Sequence, residues 1–382
     1  MSECESKKRK SLFLIVLFYG IIGALLLLFL FLPKTKVSSE ERRVLESTPR
    51  LSVQTVLDGA FEKSAERYIS DHFPFRKRWL TVDAHFRLLS GQNGANGIYL
   101  GKNGFLVNAP LTEDWEQLRA NLSAIRTFAD SVETPVSVMI VPSAGVILND
   151  ILPKNHADYP DKRIFKESLL ELEASIKWVD LLKPFLESAT REKLYYKTDH
   201  HWTSEGAYTA YTVYAKSQGF TQVSRENFDV TVFDGFYGTT YAKSCLWEMK
   251  PDQIEIWSFP EPVEIEIRND NQPQSSRHTS MFFENQLSGP DPYSVFLDGN
   301  HSLVKIINKN VPSGTLLVVK DSFGNCMIPF LTNHYRQIDV IDLRYFRKQT
   351  ASELMAEDQV DQVLFLYGIN ELVNDRNWIW LK

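Results

Sequence analysis

Leu316-Leu317-Val318-Val319-Lys320-Asp321-Ser322-Phe323-Gly324-Asn325 is an unbroken apolar run that stops at two charges and a serine. A short, continuous apolar run reads as a strand covered on both faces, the way strands of parallel sheets are built. A helix is expected to follow Ser322. In open α/β sheets, reacting groups collect just beyond the carboxyl ends of the strands. The helix N-terminus there offers backbone N–H groups and a positive dipole end, both suited to holding an oxyanion. Ser322 is therefore either a nucleophile or the N-cap of the helix, and taken alone the cap is the commoner job.

Other segments repeat the alternation of strand and helix. Pro135 to Val141 is a second buried run bounded by prolines, and Gln337 to Asp342 and Gln362 to Tyr367 read as further strands. Helical spacing of apolar residues marks Thr112 to Ser131, Ile164 to Trp178, Ser204 to Gln218 and a stretch near Ser352 to Ala356. The third of these is capped by Thr203 or Ser204 and ends at Gly219. Leu51 to Gly91 is mostly helical with a break at Pro74, and Gly97 to Leu106 reads as a hairpin. Between about residues 220 and 310 the pattern turns to alternating runs such as Gln253-Ile254-Glu255-Ile256-Trp257, expected to form an antiparallel, β-rich insertion. The fold class expected from this order is a mostly parallel, three-layer α/β/α sheet domain.

Near the start of the chain of 382 residues, Lys7-Lys8-Arg9-Lys10 precede 22 uncharged residues from Ser11 to Leu32. That length crosses a hydrocarbon core as a helix, and the basic cluster keeps the preceding tail in the cytoplasm. The run ends at Leu32-Pro33-Lys34 with no small-residue cleavage site, which favours a retained anchor over a signal peptide. The expected organisation is a cytoplasmic tail (1–10), an anchor (11–32), a tether (33–50) and an extracytoplasmic domain (51–382). The net charge of −6 and the lack of a basic block past the N-terminus argue against a nucleic-acid partner. Aromatics at 12% suit a well-filled core or a carbohydrate-facing cleft. Cys4, Cys245 and Cys326 show no metal-binding spacing, and the last two are expected as buried thiols rather than a disulfide.

The second conspicuous stretch is Lys197-Thr198-Asp199-His200-His201-Trp202-Thr203. If it is extended, alternation puts Asp199 and His201 on one side, with His200 pointing elsewhere. His201 would take the proton of Ser322, and Asp199 would hold the imidazole in the right tautomer. Two other accounts compete: a helix-capping region, and a metal site made of Asp199 and the two histidines. No cofactor motif is present. Ser143 also follows a strand but reads as cleft lining, and Lys320 and Asp321 read as surface or supporting groups. Asn370, after the last strand, could donate its amide to an oxyanion or cap a loop.

Asp199-His200-His201-Trp202 matches the signature of the DHHW family, which is related to the SGNH-hydrolase-like domains of bacterial alginate O-acetyltransferases. Ile69-Ser70-Asp71-His72-Phe73-Pro74-Phe75-Arg76, Gly235-Phe236-Tyr237-Gly238-Thr239-Thr240 and Lys320-Asp321-Ser322-Phe323 extend the resemblance over nearly all of the expected ectodomain. The resemblance implies an SGNH-hydrolase-like, flavodoxin-like core, with Ser322, His201 and Asp199 as catalytic residues. Gly368-x-Asn370 resembles the Gly-x-Asn block that supplies an oxyanion donor. The serine context here is Asp-Ser-Phe, which departs from the Gly-Asp-Ser of lipolytic members.

These readings lead to a membrane-anchored O-acyltransferase or esterase acting on a cell-surface or exported polysaccharide. A single-span chain cannot carry an acyl donor across a membrane, so a multi-pass acyl-exporting partner is expected. The rival is a catalytically idle glycan-binding or scaffolding component of the cell envelope. Geometry separates the two, since only the enzyme needs Ser322, His201 and Asp199 within hydrogen-bonding range.

Overall fold

In the computed structural model, residues 3–172, 175–259 and 262–382 are described, and the chain divides into two compact units. The first comprises the N-terminal residues to Gly91 with Cys245–Trp247, and the second comprises Gln92–Ser244 and Glu248–Lys382.

The first unit opens with helix α1 (Glu3–Phe31), whose Arg9–Phe31 portion is long and apolar enough to cross a membrane and fits a single-pass anchor. Met1 and Ser2 of the expected tail lie outside the described residues. The segment expected as a tether is folded. Strands β1 (Val37–Ser38) and β2 (Arg43–Val44) pair antiparallel within it. Helices α2 (Val53–Leu57), α3 (Ala60–Asp71) and α4 (Arg76–Leu89) follow. The break at Pro74 falls between α3 and α4 as expected, and Phe75 enters α4 in the left-handed region at φ 60.

The second unit begins with a three-stranded meander, β3 (Gly94–Ala95), β4 (Ile98–Leu100) and β5 (Leu106–Asn108), which contains the expected hairpin. Helix α5 (Trp115–Ala129) then leads to strand β6 (Val136–Val141), short helix α6 (Ala144–Ile147), helix α7 (Asp161–Leu172), strand β7 (Lys177–Val179) and helix α8 (Leu182–Glu187). After helix α9 (Ser204–Gln218) come β8 (Asp229–Phe236), α10 (Thr239–Ser244), β9 (Asp252–Ser258), β10 (Glu264–Arg268), β11 (Ser276–His278) and β12 (Leu303–Ile307). The chain closes with β13 (Thr315–Lys320), α11 (Phe323–Leu331), β14 (Gln337–Ile341), α12 (Ala351–Asp358), β15 (Gln362–Gly368) and α13 (Ile369–Asn374).

Eight strands form one mixed sheet in the order β11-β10-β12-β14-β13-β15-β6-β7. The five from β14 to β7 run parallel, and β12, β10 and β11 extend the sheet antiparallel at the other edge. The unbroken apolar run of β13 has its physical reason here. Leu316 and Val318 enter one core with α9 and α11, while Leu317 and Val319 enter the other with α5, α7 and α12. Successive side chains of a strand point to opposite faces, so a strand with helices on both sides must be apolar throughout.

Three expectations change. The β-rich stretch from about 220 to 310 is not a single insertion. Its β8 and β9 form a separate ribbon, whereas β10, β11 and β12 belong to the main sheet. The helix read over Ile164–Trp178 is described over Asp161–Leu172; Trp178 lies on β7, and residues 173 and 174 are outside the described set. The stretch around Asp199 and His201 is not an extended strand. A 3₁₀ turn (Arg191–Lys193) precedes a single bridge between Tyr195 and Trp202, so the Asp-His-His segment is a closed loop.

Candidate active site

Ser322 sits between the end of β13 and the start of α11, with φ −63 and ψ −21, and its hydroxyl makes no helix-capping hydrogen bond. The Oγ lies instead 2.7 Å from His201 Nε2. On the other side of the ring, His201 Nδ1 is 2.6 Å from Asp199 Oδ1. Asp199 and His201 are buried, whereas Ser322 is half-buried and lines a cleft of about 640 Å³. The cleft opens over the carboxyl ends of β6, β13 and β15, with Ser143, Ser322 and Gly368 on its wall.

The loop that carries Asp199 and His201 is clamped by its own backbone. Tyr196 N–H donates to the His201 carbonyl at 3.3 Å and Thr203 N–H to the Leu194 carbonyl at 2.9 Å. A tight turn sets the relation between the two residues: Asp199 Oδ1 also accepts the His201 backbone N–H at 2.9 Å. Asp199 Oδ2 accepts the Thr239 N–H at 2.6 Å and the Thr239 hydroxyl at 3.0 Å. Burial alone would raise the Asp199 pKa, but the imidazoles of His201 and His200 and the Thr239 N–H hold it well below the usual carboxylate range. The carboxylate is thus ionised and fully engaged, as an orienting group for an imidazole must be.

The His201 ring is also fixed by aromatic contacts. Tyr293 stacks on it at 3.8 Å between centroids and 5° between planes, and Phe323 meets it edge-on at 5.1 Å. Trp202 is fully buried and donates its Nε1–H to the Phe323 carbonyl at 3.1 Å, tying the loop to the first turn of α11.

The family model described as "DHHW protein" matches residues 131–341, more than half of the chain and inclusive of both segments of the site. This chain belongs to the DHHW family. Over 174 residues it is 25% identical to a probable alginate O-acetylase, AlgJ, of Pseudomonas putida, covering 44% of this chain and 45% of that one. The chain therefore spans less than half the length of the curated relatives it matches. A DHHW family protein from Eubacterium siraeum has a similar structure, with a TM-score of 0.65 at 24% identity, covering 74% of this chain and 94% of that one. PatB1 of Bacillus cereus gives a TM-score of 0.65 at 18% identity, with 74% and 99% covered. At these identities both likenesses are of fold.

In this DHHW protein the four signature residues have four different surroundings. Asp199 and His201 face Ser322. His200 is half-buried at the cleft, its Nδ1 2.6 Å from the Thr239 hydroxyl. Asp199, His200 and His201 bring a carboxylate and two imidazoles within 4.8 Å of one another, close enough for a metal. Both ring nitrogens of His201 and both oxygens of Asp199 are already engaged in the hydrogen bonds above, so a cation would have to displace Ser322 or break the Asp199–His201 bond.

Lys320 and Asp321 are buried, not at the surface. The Asp321 carboxylate accepts Phe323 N–H at 2.9 Å and Gly368 N–H at 2.7 Å, joining the loops after β13 and β15. Burial raises its pKa to about 6 against the pull of Arg344 and these two N–H groups. The helix N-terminus was expected to leave N–H groups for an oxyanion, yet the Phe323 N–H is taken by Asp321. Asn370 lies in the first turn of α13 on the cleft wall. Ser143 lines the same cleft, as read from the sequence. Cys326 carries a free, buried thiol whose pKa burial pushes up to about 12.

Sequence reasoning missed Thr239, Tyr293 and Asp252. Asp252 accepts the Thr198 N–H and hydroxyl at 2.7 and 2.6 Å and so anchors the loop from below. Thr239 had a signal in the Gly235–Thr240 stretch. A Cβ on Gly238 would lie 2.1 Å from the Asp199 Cβ, so only glycine lets this chain segment approach the carboxylate. Tyr293 had none, because ring stacking across 92 residues of sequence leaves no local pattern.

Proposed function

We propose that this chain is a membrane-anchored, extracytoplasmic serine O-acyltransferase or esterase that acts on a cell-surface or exported polysaccharide through Ser322, His201 and Asp199. The single observation that carries the reading is the continuous relay from Asp199 Oδ1 to His201 Nδ1 and from His201 Nε2 to Ser322 Oγ, at 2.6 and 2.7 Å. The relay stands at the mouth of a cleft where the sheet's parallel strands end. Probable alginate O-acetylases among the relatives support polysaccharide as the acceptor class. The fold reading that goes with it is an SGNH-hydrolase-like core, and the anchor reading leaves residues 1–10 in the cytoplasm.

In this mechanism Ser322 Oγ attacks the carbonyl carbon of an acyl donor as its proton passes to His201 Nε2. The tetrahedral intermediate collapses, the bond to the leaving group breaks, and the leaving group takes the proton from His201. The acyl-serine is then attacked by a sugar hydroxyl or by water, which gives its proton to the same nitrogen; the acyl–Oγ bond breaks and His201 returns the proton to Ser322 Oγ. Asp199 keeps Nδ1 protonated and stabilises the imidazolium that forms. The Asn370 side-chain amide is the proposed donor to the oxyanion. Because one span cannot ferry an acyl group, a multi-pass membrane protein supplies the donor.

The test is hydrolysis of a chromogenic acetyl ester by the full chain in detergent, beside Ser322→Ala and His201→Ala. Wild-type turnover that both changes abolish is expected, together with a mass increase of one acetyl group on wild type but not on Ser322→Ala. Hydrolysis that survives both substitutions overturns the triad.

A further inference from the structure

Helix α4 carries an apolar stripe left exposed among the described residues of its own unit. Phe75, Trp79, Val82, Phe86 and Leu89 recur at helical spacing and are 49% to 87% exposed, while Ala84 alone on this helix is buried. At 100° per residue these five positions fall within one narrow arc. Leu51, Val53 and Leu57, in and just before α2, are each more than 70% exposed. Five large apolar side chains exposed along one face of a helix mark an interaction site rather than ordinary surface scatter.

Three observations identify the occupant. First, α3 sits at the outer end of the anchor: Phe29, in the last turn of α1, packs edge-on against Tyr68 at 6.1 Å. Lys34, just past the anchor, lies 4.0 Å from the Phe29 ring centroid and donates to the Phe29 carbonyl, the position of a lysine at a membrane boundary.

Second, the connecting segment is folded down onto the helices and cannot act as a long spacer. Arg43 grips Asp71 with two hydrogen bonds of 2.9 and 2.5 Å, Arg76 grips Glu41 at 3.0 and 3.1 Å, and Lys77 meets Glu40 at 2.6 Å. His72 Nε2 lies 2.9 Å from the Glu46 carbonyl. These contacts account for Asp71-His72-Phe73-Pro74-Phe75-Arg76, the motif that the catalytic reading left unused. It braces the helices against the foot of the anchor.

Third, the stripe has the composition of a membrane interface. It combines a tryptophan and two phenylalanines with Arg78, whose guanidinium carbon is 5.7 Å from the Phe75 ring centroid. The Trp79 Nε1–H already bonds to the Pro74 carbonyl at 3.0 Å, so the ring brings no unpaired donor into an apolar layer.

We propose that the α4 stripe lies in the headgroup layer of the bilayer crossed by α1, giving the chain a second, monotopic membrane contact that holds its first unit down on the outer surface. The proposal rests on reading Arg9–Phe31 as a membrane anchor.

The test places a photoreactive benzoylphenylalanine at Phe86, at Ile15 in the anchor, or at the exposed Glu62 of α3. Each full-length chain is reconstituted into vesicles of phosphatidylcholine and phosphatidylglycerol, irradiated and weighed by mass spectrometry. A mass increase of one phospholipid at Ile15 and Phe86, and none at Glu62, is expected. A lipid adduct at Ile15 without one at Phe86 overturns the stripe's contact and leaves the anchor standing. An adduct of twice the chain mass at Phe86 overturns it in favour of self-association. No lipid adduct at Ile15 overturns the anchor and the proposal together.

Discussion

Helices α4 and α11 both begin without a side-chain cap, yet one buries a single residue and the other buries all nine. Helix α11 even contains Pro329, which would break a solvent-exposed helix. Burial between the sheet and α9 holds it in place, so its first turn can present Ser322 without using the serine as a cap. Helix α4 is held by ion pairs to the folded segment that follows α1, and its apolar face is left over. A helix whose position is fixed by a core can carry chemistry at its end. One fixed by charges is suited to carry a surface.

This contrast can be broken at several points. Asp199→Asn should have the largest effect, lowering ester hydrolysis by roughly 10⁴ while the relay's backbone stays folded, because an amide cannot hold His201 in the required tautomer. Steady-state kinetics alongside a melting curve checks this, and a loss of activity that merely follows unfolding would count against it. Gly238→Ala should come next, destabilising the chain by about 1–3 kcal/mol in urea, since the added methyl meets the Asp199 Cβ at 2.1 Å and its Cα at 2.6 Å.

Asp321→Asn should cost about 1–2 kcal/mol, since an amide oxygen can accept only one of the two N–H groups that the carboxylate now holds. The pH dependence gives a second readout. A carboxyl pushed up to about 6 when folded holds its proton more tightly than in the unfolded chain, where it titrates near about 3.9. Its contribution is therefore complete below about pH 4 and declines as pH rises to about 6, and that slope should vanish in the variant.

Asp71→Asn should have the smallest effect, about 1 kcal/mol confined to the first unit, read as faster hydrogen exchange in α3 and α4. The sign is opposite here. The Arg43 side chain and the Glu46 N–H hold Asp71 down to about 2, so its contribution is present above about pH 4 and is lost as pH falls toward 2.

Much of the framework around Ser322 was legible because it is written in local pattern. An apolar run ending at Ser322 reads as a strand covered on both sides, and an uncharged run of 22 residues is long enough to cross a bilayer. Asp199 and His201 do lie together beside Ser322, but for another reason than the one read from the sequence. Alternation along a strand was invoked, and a side chain-to-backbone turn does the work. The antiparallel runs of β10 and β12 looked like an insertion because alternation shows that one face is wetter, not which sheet a strand joins.

By itself the sequence determined four of the five strands of the parallel core, the apolar first helix, and which serine, histidine and aspartate to consider. Only the tertiary structure decided that Ser322 meets His201 across 121 residues, that Thr239 and Tyr293 hold the pair, and that the α4 stripe stays uncovered. The division has one cause. Periodicity and composition report what each segment can bury, whereas the partner that buries it, or fails to, is set by chain folded from elsewhere.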